Sequence, residues 1–358
     1  MDESRRARFV ARMVSLNLVA LVAAYMSGQW DATEHAKGAV DTFWYAPHIG
    51  IYFAIFTAAA LSIAGLVVIL QTPGDSLRSK LRGNGLLLIL VIANALGFTG
   101  APLDAWWHQT FGIDLTVWSP PHLHLLAGMV LAALACAVYF AGTIRAGDSI
   151  TTLPTGGWIS ILATSVAILL AAYLFFEYEA GLANAAVRER PTWTYPVLWT
   201  VFATFAVALP ANLCRFRWAT TAIATIYCVG RIGVLVVDRS VLDFSGAIPY
   251  PLVIPAVAFD AGQLVAEGRA LPRWGSTMLA GTAASISVIV SAPLFWAAVG
   301  VLPNLNVQPW AAAWPAALAA GIAGGFAGAW SGAKLRHHRP QGPTESTATT
   351  AGIAAPEP

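Results

Sequence analysis

About ten stretches of mostly apolar residues, each long enough to cross a bilayer, occupy most of this 358-residue chain. They lie near 8–27, 47–71, 84–101, 121–145, 157–176, 196–214, 218–237, 251–266, 275–300 and 311–333. A hydrocarbon core of roughly 30 Å takes about 20 residues of helix to span. Inside it every backbone N–H and C=O must be satisfied within the segment, which leaves the helix as the conformation for such runs. Hydrophobic residues make up 57% of the chain and charged residues 11%, so a soluble globular domain is excluded. The fold class expected is all-α: a polytopic integral membrane protein of about ten transmembrane helices, the eighth of them short.

The sparse charges fix an expected orientation. Arg5, Arg6, Arg8 and Arg12 lie before or at the start of the first run, Arg78, Lys80 and Arg82 follow the second, and Arg145 stands at the end of the fourth. Arg215, Arg217, Arg269, Arg273, Lys334, Arg336 and Arg339 continue the series on one side, whereas the opposing loops hold only Lys37, Arg188, Arg190 and Arg239. By the positive-inside rule both termini are cytoplasmic in a multi-pass protein of the cell membrane. The first run also has the basic start of a secretory signal, but its Ala-x-Ala-like cleavage pattern is weak. A transmembrane domain is expected over 1–336, followed by a disordered cytoplasmic tail over 337–358 that contains His338. The net charge of +2 comes from these loops, so the expected partner is the bilayer, with membrane partner subunits or a homo-oligomer, and not nucleic acid.

The chain also repeats itself. "WYAPHI" at Trp44–Ile49, "WSPPHL" at Trp118–Leu123 and "WTYPVL" at Trp193–Leu198 each open an apolar run, with Pro47, Pro121 and Pro196 about 75 residues apart. Proline suits the first turn of a helix, where its missing N–H would have no partner anyway. The implied unit is a helical hairpin, near 8–71, 84–145, 157–214, 218–266 and 275–333, with "IPYPLV" at Ile248–Val253 as a weaker copy.

The first two copies carry ionisable side chains in the same order. Asp31 and His35, and Asp104 and His108, stand four residues apart, so each pair shares one helix face. The next histidine, His48 or His122, opens the following helix and completes Asp-x3-His-x12-His or Asp-x3-His-x13-His. Asp41 and Asp114 lie six residues after the first histidine of each copy, as additional ligands or as acceptors orienting the imidazoles. In the third copy the acid is Glu179, and Ala183 and Val197 replace both histidines. Imidazole with carboxylate suits copper, zinc, iron or manganese, and three such ligands leave a position for water or substrate. The competing interpretation is interfacial: Trp and His tolerate the headgroup region, and Asp caps helices. His124 follows His122 by two residues, so the two point about 200° apart on a regular helix and cannot easily share an ion. Cys136, Cys214 and Cys228 lie in or beside apolar runs without a Cys-x-x-Cys spacing, and read as small core residues.

The first spacing resembles the Asp-x3-His-x12-His motif in the C subunit of the particulate methane and ammonia monooxygenases, the copper membrane monooxygenases. The resemblance covers Asp31, His35 and His48, and more loosely Asp104, His108 and His122. It implies that these residues bind a transition metal, copper first with zinc or iron as alternatives, in an enzyme oxidising small apolar molecules with O2.

Two other charges fall within apolar runs, Arg231 and Asp260, at helix depths that would let them pair. Two functional classes follow. One is an outward-facing Asp/His metal centre, for oxidation or for the assembly of another metalloenzyme. The other is a transporter using the same cluster as a metal or proton site.

Overall fold

The structure is a computed structural model, and it describes residues 2–37, 44–112, 117–145, 147–175, 193–243, 249–298 and 307–337. The side chains of residues 35, 36, 307 and 308 are not among those described. Asp41, Asp114, Glu179, Ala183 and the tail beyond His337 also lie outside the described residues.

Eleven α-helices are present among the described residues: α1 (Glu3–Ala36), α2 (Ala46–Leu70), α3 (Leu77–Gly83), α4 (Gly85–Phe111), α5 (Pro120–Ala141), α6 (Thr155–Ala172), α7 (Thr194–Leu213), α8 (Ala219–Ser240), α9 (Val253–Gly268), α10 (Arg273–Ala298) and α11 (Val307–His337). Nine of them are long and apolar enough to cross a membrane, all but α3 and α9. The run near 251–266 forms α9, at 16 residues too short to be counted with them. The fold is that of a polytopic, all-helical membrane protein.

Local chemistry sets several helix ends. Pro47 lies in the first turn of α2, and Pro120 and Pro121 open α5, so that no intrahelical hydrogen bond is lost to the prolines. α3 is a short basic helix whose N-cap Ser76 accepts from the backbone N–H of Ser79. Large apolar side chains such as Phe53, Val229 and Trp330 lie on the outside of the bundle, the side that lipid covers.

The helices associate through small residues and a few polar contacts. α1 packs on α2, α4 on α5, α5 on α6, α9 on α10, and α10 on α11. α7 lies along α11 over much of its length and barely touches α6, so the third hairpin inferred from the sequence is not a packed pair. Gly328 explains the α7–α11 approach: a Cβ there would come within 2.5 Å of the Phe205 carbonyl oxygen. Without a hydrophobic force between helices in lipid, such close approach is what drives their association. Within the N-terminal helices, buried Asn94 donates to Asn17 Oδ1 (2.7 Å) and to the Ala58 carbonyl (3.2 Å), joining α4, α1 and α2.

Candidate metal centre

Asp104 and His108 lie one turn apart near the end of α4, and His122 stands in the first turn of α5. Because α4 and α5 pack as a hairpin, the three side chains converge. His108 Nε2 is 3.3 Å from Asp104 Oδ2, and His122 Nε2 is 3.2 Å from Asp104 Oδ1. One ligand atom from each residue lies within 4.8 Å of the other two, so the group could hold a metal ion. The imidazole rings are 6.3 Å apart, centre to centre.

These separations can be compared with what an ion would require. Ligands about 2.0–2.1 Å from a tetrahedral metal sit roughly 3.3–3.4 Å from each other. The 3.2 Å from His122 Nε2 to Asp104 Oδ1 is close to that edge length, and the 3.3 Å contact of His108 Nε2 is to the other carboxylate oxygen, Oδ2. Asp104 Oδ1 is buried and, among the described residues, accepts no hydrogen bond, even though His122 Nε2 is its close neighbour. The two atoms therefore approach without pointing along a shared N–H···O line, as two ligands of one ion do.

The tautomer of His108 points the same way. α4 ends at Gly112, whose N–H donates to the His108 carbonyl (3.0 Å) and whose own carbonyl lies 3.3 Å from His108 Nδ1. A carbonyl only accepts, so Nδ1 carries the proton and donates. Nε2 then faces the Asp104 carboxylate with its lone pair, a contact that requires a positive centre between them, either a second proton or a metal ion. The Asp104 side chain is 33% exposed, which leaves the group reachable by an ion from solution.

Aromatic rings flank the group. Trp107 and Phe111 pack with centres 4.4 Å apart, and Trp106 meets both in edge-on contacts. Trp106 and Phe111 are largely exposed, as residues at the headgroup level are. His124 is turned to another side of α5, where its Nε2 is 2.9 Å from Thr99 Oγ1. Buried Cys214, just past the end of α7, has its thiol pushed up to about 12 by burial, so without a metal it stays protonated.

In the first copy, His48 Nε2 lies 3.0 Å from Asp31 Oδ1, bringing α2 to α1. Tyr45 and Tyr52 stand on either side of His48 in sequence, with ring centres 6.1 and 5.9 Å from it. The third expected member, His35, has its side chain outside the described residues.

No family model, curated protein or solved structure matches this chain.

The two intramembrane charges have different surroundings. Asp260 accepts from the backbone N–H (2.9 Å) and the hydroxyl (2.7 Å) of Thr221, at the start of α8. Buried Arg231 stands ten residues further along α8, about 15 Å by helical rise. Asp238 lies near the end of the same helix, α8. The structure shows it buried at 4% exposure, accepting from Gln29 and Thr33 of α1. Its one signal in the sequence was its position seven residues after Arg231, which puts both on one face of α8.

Proposed function

We propose that this is an integral membrane metalloprotein whose Asp104, His108 and His122 bind one transition-metal ion, and that Asp31, His35 and His48 form a second or shared half-site. One observation carries the reading. Asp104 Oδ1, buried and without a hydrogen bond, lies at metal-ligand edge distance from an imidazole nitrogen. Three protein ligands leave a coordination position for water or substrate, the arrangement of a catalytic rather than a purely structural site. On that ground an oxidoreductase resembling the copper monooxygenases, or a factor loading metal into another enzyme, is the preferred function. Copper is the preferred metal, with zinc or iron as alternatives. The Lys and Arg distribution supports an outward-facing site with cytoplasmic termini.

Elemental analysis of detergent-purified protein, after separate loading with copper, zinc, iron and manganese, tests this. Wild type should retain at least one equivalent that the variant Asp104→Ala/His108→Ala/His122→Ala loses. Equal retention by both proteins for every metal would leave these residues as interfacial side chains.

A further inference from the structure

Asp238 belongs to a seam of polar side chains that enters the bundle between α1 and α8 from the end that carries the Asp/His groups. At its mouth Lys37 pairs with Glu34 at 2.9 Å, and the Tyr45 hydroxyl donates to the other Glu34 oxygen at 3.0 Å. Next come Thr33 and Gln29, one turn apart, which both donate to Asp238. Deeper still, the Tyr173 hydroxyl donates to the Gly28 carbonyl at 2.8 Å, and its ring meets Tyr25 edge-on at 6.3 Å. From Thr33 to Tyr25 the seam runs about 12 Å along α1. Beyond it Leu21 and Leu18 close the way with apolar packing. Among the described residues the polar run reaches Lys37 at one end and stops at Tyr25 at the other.

The bonding of Asp238 is weak for so buried a carboxylate. Its two donors are neutral, and both bonds are long, 3.3 Å from Gln29 Nε2 and 3.4 Å from Thr33 Oγ1. Among the described residues no Lys, Arg or His forms an ion pair with it. Arg231, two turns away on α8, and Lys37, at the mouth, act on it only through space. Of its other surroundings, Asp31, Tyr25 and Arg231 act on Tyr173, and Arg239 is exposed at the end of α8. Asp260, from α9, sits on Thr221 at the far end of α8, and the packed helices α6 and α7 bring no Asp, Glu, Lys or Arg. A buried carboxylate is tolerated ionised when a cation contacts it or several short hydrogen bonds reach it. Here neither holds, whereas a carboxylic acid would fit the same place and could donate to Gln29 Oε1.

We propose that Asp238 is a proton-binding site, reached from the Asp/His end of the bundle, whose protonation state sets the contact between α1 and α8. The proton arrives along the Lys37–Glu34, Thr33 and Gln29 seam, and resides on the carboxyl. The ionised form accepts from Gln29 and Thr33, whereas the neutral form donates to Gln29 Oε1, so the two states bond α1 differently.

Infrared difference spectra between acid and alkaline buffer, on metal-free protein carrying isotope-labelled aspartate, test this without reference to metal binding. Wild type should show the carbonyl stretch of a buried carboxylic acid that disappears as pH rises, and Asp238→Asn should lack it. Gln29→Leu removes a donor that favours the charged form, so the band should persist to higher pH than in wild type. If Asp238→Asn folds poorly, the Gln29→Leu shift decides alone. The same band in wild type and Asp238→Asn, or an unmoved transition in Gln29→Leu, would overturn the proposal.

Discussion

Gly112→Ala probes the proposed metal centre without touching a proposed ligand. Gly112 adopts φ 88 and ψ 170, a region open to glycine and strained for other residues by about 1–3 kcal/mol. Nothing lies within 4 Å of where its Cβ would stand, so the penalty is one of backbone conformation and not of collision. Alanine relieves the strain by rotating the peptide, and the Gly112 carbonyl then leaves His108 Nδ1. An imidazole that loses the acceptor on its far nitrogen typically loses 10–100-fold in metal affinity. That corresponds to about 1.4–2.7 kcal/mol, the same size as the backbone strain being relieved. Competition with a chelator of known affinity, on wild type and Gly112→Ala in the same detergent, reads the change. Thermal unfolding of both metal-free proteins separates it from simple loss of fold. If Gly112→Ala binds metal as tightly as wild type, the carbonyl does not hold the imidazole and the tautomer argument fails.

Metal binding requires Nε2 of both imidazoles to be free of protons, so acidification should release the ion. Loading in weak buffer should in turn liberate up to about two protons, seen by a pH indicator. His124→Ala should keep the metal that His108→Ala loses, because His124 faces Thr99; elemental analysis of the two variants checks this. A cysteine placed at position 111 should be labelled by an impermeant thiol reagent from outside intact cells, whereas labelling only after permeabilisation would reverse the orientation. Asp260→Asn and Thr221→Val should be strongly non-additive in unfolding measurements. Asp260→Asn and Arg231→Met should add within about 0.5 kcal/mol, as expected for groups this far apart.

The spans were legible because the bilayer imposes a length, and a run such as 47–71 has few other uses. The pairings were not legible in the same way. α7 lies along α11, more than a hundred residues away, and the clue lay in Gly321, Gly324, Gly328 and Gly332, whose spacing of three or four residues marks a face for close helix contact. α3 escaped notice because a seven-residue helix shows no periodicity, and its Ser76 cap becomes a signal only once the helix is known. At the candidate site, the i, i+4 spacing and the proline-led start of α5 together placed Asp104, His108 and His122 near one another. The role of Gly112 depends on a dihedral angle that the sequence does not reveal. Asp238 was missed because its partners, Gln29 and Thr33, come from the other end of the chain.

The two Asp/His copies share a local pattern, but their neighbours differ. Asp104, His108 and His122 sit on the α4–α5 pair beside exposed Trp106 and Phe111, and the carboxylate faces solution. Asp31 and His48 sit on α1 and α2, enclosed by Tyr45 and Tyr52, and Asp31 acts on the buried Tyr173 that also feels Arg231 and Asp238. The repeat therefore made two similar ligand sets in different settings: Asp104, His108 and His122 beside exposed aromatic rings, and Asp31 and His48 beside the polar seam that reaches Asp238 through Tyr173.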